Sequence, residues 1–243
     1  MKKYTFEELT GSIAEITEET KQDFRERIRE VLMDIVDLKR LHKQNSWHAA
    51  DEDSVEEAID ELVYLNGGGD IQKESVHHCD SAHCLAGHVE MDLIEELKMK
   101  GNYASDELGD TYWYETPSDA REIEYSPLIQ EFVETNYDEY TQYMDGKVAF
   151  FVGMHAGLYE MDTNNLFDGD LNIANMIFNW NCICSKYEWD NLYIHTEYLK
   201  RACIECEIED YEELTDQVYE ELFEHASKSA YKDLFDKDGK LMY

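Results

Sequence analysis

Basic residues are scarce in this chain. Against 56 aspartates and glutamates stand 21 lysines and arginines, a formal net charge of −35 over 243 residues. A surplus of this size repels nucleic acid and anionic membranes, so direct binding to either is not expected. Proline is almost absent, with two residues, and glycine is sparse, with 12, which argues against a long flexible hinge. No apolar stretch reaches membrane-spanning length and none follows Met1-Lys2-Lys3, so neither a span nor a signal peptide is expected. The G-x-S-x-G elbow, H-E-x-x-H, Walker A and G-x-G-x-x-G patterns are all missing. Gly67-Gly68-Gly69 has no strand signal before it and no Lys-Ser/Thr after it, so it reads as a loop after a helix. An interaction protein is therefore expected before an enzyme.

Apolar residues make up 43% of the chain, enough for a folded core despite the charge. The six cysteines read as reduced thiols of a cytoplasmic protein. The fold class expected is α+β, with several amphipathic helices packed on a small, mostly antiparallel sheet. Residues 1–101 read as a helical region carrying the Cys/His stretch, and 102–243 as an acidic α+β region. No low-complexity linker separates them, so one continuous domain accommodates both.

Residues 17–44 read as one long helix with Thr17 as N-cap and Glu18 and Glu19 in its first turn. Phe24, Ile28, Val31, Leu32 and Ile35 set its apolar face. Its bases, among them Arg25, Arg27 and Lys39, read as a solvated mixed-charge face, or alternatively as a surface for docking a second copy. Ser54-Val55-Glu56-Glu57 matches a capping box. A helix is expected from about Leu85 to Lys100, a short strand over 110–115, and a helix opening at Ser126-Pro127. Asp145-Gly146 followed by Val148–Val152 reads as a hairpin turn and a buried strand. Leu158–Met161 would continue that sheet, and Asn175–Trp180 fits helix and strand equally. Residues 198–209 alternate as a half-buried strand, and a last helix is expected over about 211–235.

Metal-ligand chemistry concentrates in His77-His78-Cys79-Asp80-Ser81-Ala82-His83-Cys84-Leu85-Ala86-Gly87-His88. Cys84 and His88 are four apart and share a helical face. With Cys79 and either His83 or His77 they form a candidate zinc set. The alternative is that Cys84 and Leu85 are core residues of a first helical turn. A thiol at a helix start is also expected to have a lowered pKa, which would make Cys84 reactive. Cys182, Cys184, Cys203 and Cys206 form a looser Cys₄ pattern, read as core cysteines. Asp162–Asp170 has the flavour of a calcium loop but lacks its glycine and its closing glutamate.

The run Cys79-(x4)-Cys84-Leu85-Ala86-Gly87-His88 resembles a C-G-T-x-x-C-[LI]-A-G-[WH] signature of uncharacterised phage and bacterial proteins. Asp80 stands where that signature has glycine. Lys3-Tyr4-Thr5-Phe6-Glu7-Glu8-Leu9 is similar to the start of small phage antitoxin-like proteins. The resemblance covers some ten residues and implies a mobile-element origin without an assigned activity.

The acids are clustered. From Glu205 to Glu224 there are ten acids and no base. The candidate partner-binding residues are Glu205, Glu207, Glu209, Asp210, Glu212, Glu213, Asp216, Glu220 and Glu221, with Glu131, Glu134, Asp138 and Glu139 as a second group. Solubility needs a net charge of only about 2–8 in a small domain. The surplus here matches the backbone charge of roughly 18 base pairs. The expectation is a nucleic-acid mimic that occupies the basic channel of a DNA- or RNA-binding defence enzyme in an infected bacterial host, as anti-restriction and anti-CRISPR inhibitors do. The alternatives are an antitoxin-like or adaptor protein stapled by zinc, and a zinc- or thiol-dependent enzyme.

Overall fold

The computed structural model describes residues 2–37, 39–40, 84–105, 111–114, 125–141, 146–169 and 171–205. Within them the molecule is helix packed on helix. The helices are α1 (Phe6–Thr10), α2 (Glu18–Val36), α3 (Leu85–Leu97), α4 (Pro127–Thr135), α5 (Tyr137–Tyr140), α6 (Lys147–Ala156), α7 (Glu160–Phe167), α8 (Ile173–Lys186) and α9 (Thr196–Glu205). The described β-structure is one antiparallel pair, β1 (Asn102–Ser105) and β2 (Thr111–Tyr114), with Tyr103 opposite Trp113. The expected α+β arrangement is thereby overturned: helices cover one another, and the two-stranded ladder is an appendage against α3 rather than a floor for the helices. Among the described residues no helix is long and apolar enough to cross a membrane.

Local chemistry explains where the helices begin. Thr17 accepts a hydrogen bond from Thr20 N–H at the start of α2, and Ser126 does the same for Ile129 N–H ahead of Pro127 in α4. Thr5 and Glu8 form a reciprocal capping box on α1. α2 ends at Val36, short of the expected residue 44; Asp37 leaves the helical path and Lys39 N–H returns to the Asp34 carbonyl.

The largest corrections fall on α6, α7 and α9. Val148–Val152 is the middle of α6, not a strand. This helix packs against α2, α3, α4 and α7, so apolar residues are wanted on nearly every side. Val148, Phe150, Phe151 and Val152 are all buried. A five-residue apolar run cannot distinguish a buried strand from a buried helix by period. Gly157 closes α6 at φ 72°, and Leu158 N–H reaches back to the Gly153 carbonyl at 2.9 Å. Gly153 lets α7 approach: a Cβ there would stand 2.5 Å from Thr163 Oγ1. Leu158 is a connecting residue and Met161 belongs to α7, so no sheet continues there. Asn175–Trp180 is helical, within α8. Residues 198–205 are helical as well, since Leu199 and Ala202, three apart, are the buried pair. The expected strand continues to 209, and the residues beyond 205 lie outside the described set.

One apolar core joins residues from Leu9 to Ala202, with Phe24, Phe132, Phe150, Phe151, Phe178 and Trp180 among its largest members. Ile94, Tyr103 and Trp113 form a small satellite where the β-pair meets α3.

Candidate functional site

Two arginines of α2, Arg25 and Arg27, are buried, while Lys3, Lys39, Lys98, Lys100, Lys186 and Arg201 are exposed. Arg27 is 1% exposed and bridges Asp23 on its own helix to Glu96 on α3, with both guanidinium Nη atoms on the Glu96 carboxylate at 2.9 and 3.0 Å. Arg25 is buried too, donating to the Ala156 carbonyl at 2.8 Å and to Glu18 at 2.7 Å. Arg40 holds Asp92 in a two-bonded fork, Lys186 holds the fully buried Asp162, and Arg201 ties α9 to Asp37. Arg25 and Arg27 are therefore internal staples, not part of the solvated face expected of them, whereas Lys39 of the same expected face is exposed. A guanidinium supplies planar, always-charged donors that suit such inward pairing.

One group of acids faces solvent. Glu131, Glu134, Asp138 and Glu139 are exposed on α4 and α5, while Leu128, Ile129, Phe132 and Val133 of α4 are buried, as the sequence pattern requires. Glu131 and Glu134, three apart, share a face of α4, and Asp138 and Glu139 follow on α5 beyond the break at Asn136. Beside α4 lies α1. Asn136 locks the two segments together, donating to the Gly11 carbonyl at 3.1 Å and accepting from Ile13 N–H at 2.9 Å. This neighbour adds Glu7, Glu8 and Glu15, all exposed. Residues 6–16 and 127–141 contain no lysine or arginine, so no base from these segments neutralises the face. Glu7, Glu8 and Glu15 were not singled out from sequence, because only the Asn136 clamp brings them beside α4.

Of the main acidic group, Glu205 closes α9; Glu207, Glu209, Asp210, Glu212, Glu213, Asp216, Glu220 and Glu221 lie outside the described residues, as does the helix expected over 211–235.

The Cys/His stretch is described from Cys84 onward. Cys84 is the N-cap of α3, its Sγ accepting from Gly87 N–H at 3.4 Å, and His88 is buried one turn later. Cys79, His77 and His83 lie outside the described residues, so half of the candidate zinc set is placed and half is not. Among the described residues no three metal-ligating side chains converge. Burial pushes the Cys84 thiol up to about 11, outweighing the N–H groups of the helix start. The expectation of a reactive, low-pKa thiol is thus reversed: desolvation of the thiolate exceeds the help of the helix N-terminus. Cys182 and Cys184 are likewise buried thiols in α8 with raised pKa. In the calcium-like segment, Asp162 is a buried helical residue already bonded to Lys186 and Tyr187.

Two buried polar centres escaped the sequence reading. Glu90 on α3 accepts from the Tyr103 hydroxyl at 2.8 Å and from the Ser126 hydroxyl, and Tyr103 in turn accepts from Ser126 N–H at 2.7 Å. Burial raises the Glu90 carboxyl to about 7, against the pull of these donors. His155 on α6 stacks among Phe24, Phe132 and Phe151, its Nδ1 2.9 Å from the Phe151 carbonyl. Burial lowers it to about 4, with the Phe151 and Leu9 carbonyls opposing. Neither centre had a spacing signal, since their partners come from other elements.

No protein-family model, curated protein or solved structure matches this chain.

Proposed function

We propose that this protein is an acidic inhibitor of a basic, nucleic-acid-binding protein, whose exposed carboxylates stand in for backbone phosphates. The observation that carries the reading is the exposed face of seven acids on α1, α4, α5 and the turn at Ile13–Glu15, segments that contain no base. A surface of this kind attracts a cationic groove and steers encounter, and the attraction falls with salt. The mechanism is competitive occupation, with no chemistry performed on the target. A nuclease or other effector of bacterial defence is the partner class that the mobile-element resemblance favours, and the cytoplasm of the infected host is where it would act.

The test is capture of partners on the immobilised protein from bacterial lysate at low and high salt, followed by nucleic-acid binding by the captured protein. Capture at low salt should be lost at about 0.5 M, beyond the range of surface electrostatics. Adding the protein should displace DNA or RNA from the partner. Reversing Glu131, Glu134, Asp138 and Glu139 to lysine together should weaken capture at least about ten-fold. A partner that stays bound at high salt, or that keeps its nucleic acid while bound, would defeat the proposal.

A further inference from the structure

A stacked ladder of side chains crosses the surface where α2, α7 and the end of α8 meet. At its inner end the Arg25 guanidinium lies 3.9 Å above the Trp189 ring. Trp189 stacks on Tyr187 with centroids 4.8 Å apart and planes 18° from parallel. Tyr187 stacks on Tyr159 at 6.1 Å and 30°. The last rung, Tyr159, is 70% exposed, among the most exposed large apolar side chains described.

The ladder is held rigidly. The Tyr187 hydroxyl donates to Asp162 at 2.5 Å, and Asp162 is fully buried and fixed again by Lys186. The Trp189 backbone N–H donates to the Cys184 carbonyl at 2.8 Å. Glu188, between the two rings, sits in the left-handed region at φ 59°. A preorganised aromatic face loses little entropy when something stacks on it.

From this we infer that the outer face of Tyr159 receives an arginine side chain of the basic partner. The inner end of the ladder already shows the chemistry, since Arg25 stacks there. An aromatic face attracts a guanidinium through its ring quadrupole, and arginine more often than lysine. The charge around it is complementary: Glu160, Glu188 and Asp190, adjacent in sequence to the three rings, are all exposed. The bases that touch the ladder are already engaged, Arg25 by Glu18 and Lys186 by Asp162. The inference rests on the basic-partner reading above and specifies one contact within it.

The experiment is calorimetric titration of the full chain with two peptides of equal charge, hexa-arginine and hexa-lysine. The wild type should prefer hexa-arginine. Tyr159→Ala should weaken hexa-arginine binding about three-fold and leave hexa-lysine binding unchanged; Tyr159→Phe should keep the preference. Retention of the full preference by Tyr159→Ala overturns the inference. A wild-type dimer, seen by sedimentation, that Tyr159→Ala dissociates would mean that a second copy covers the ring, and overturns it as well. If neither peptide binds the wild type, the basic-partner reading falls together with the inference. If both bind, and lysine reversal of Glu131 and Glu134 weakens both alike while Tyr159→Ala changes nothing, the inference alone falls.

Discussion

At the scale of single residues, the most informative side chain is Arg27. It sits on a helix whose charge pattern reads as a solvated face, yet it is buried with two carboxylates around it. Sequence periodicity places Arg27 one residue from the apolar position Ile28, and nothing in it reveals Glu96, which arrives from α3, 69 residues on. Asp23 shows the strength of the arrangement: burial alone would raise its carboxyl, but bonds from Arg27, the Lys2 amide and the Tyr4 hydroxyl hold it below its ordinary value. Removing one partner of a buried pair leaves an uncompensated charge and typically costs about 3–5 kcal/mol. Arg27→Ala should therefore lose about that much stability in a urea melt. Asp23→Ala should lose less, because Arg27 keeps the partly exposed Glu96. Equal and small losses, under about 1 kcal/mol as for a surface pair, would show that the pair is solvated.

At the scale of elements, helix starts were legible and helix interiors were less so. Thr17, Ser126-Pro127 and the facing pattern of α4 all stand where the sequence puts them, because capping uses residues within one turn of each other. Trp113 and its neighbours do form a short strand, since aromatic residues suit a pleated surface. The failures at α6 and α9 differ in cause. α6 is covered on several sides, so its polar stripe shrinks and the period that separates helix from strand disappears; in α9 Leu199 and Ala202 are buried and Glu197 and Arg201 exposed, a spacing of three that the alternation read over 198–209 masks. Gly157 was the local sign that α6 ended. The end of α8 carries a checkable cost: Glu188 holds a left-handed conformation that glycine adopts freely. Glu188→Gly should stabilise the protein by about 0.5–1 kcal/mol, raising its melting temperature by a few degrees. A fall in melting temperature would mean that the glutamate makes compensating contacts worth more than the backbone penalty.

At the scale of the whole molecule, two buried titratable groups set opposing pH dependences. The Glu90 carboxyl is raised from 4.5 to about 7, so the folded state holds a proton that the unfolded state has lost. Its contribution is fully present below pH 4.5 and is lost as pH rises through about 7. The His155 imidazole is lowered from 6.5 to about 4, so the folded state lacks a proton that the unfolded chain binds. Its contribution is fully present above pH 6.5 and is lost as pH falls through about 4. Across the shared window, from about 4.5 to 6.5, each acting alone would change stability by about 1.4 kcal/mol per pH unit, with opposite sign. The two should nearly cancel, giving the wild type a flat stretch there. Glu90→Gln keeps the shape and removes the charge, so its stability should climb with pH over that window. His155→Phe fits the ring cluster of Phe24, Phe132 and Phe151, and its stability should fall with pH over the same window. Denaturant melts of the three proteins at pH 4.5, 5.5 and 6.5 decide it: parallel profiles in all three would mean that neither group is protonated differently in the folded and unfolded states.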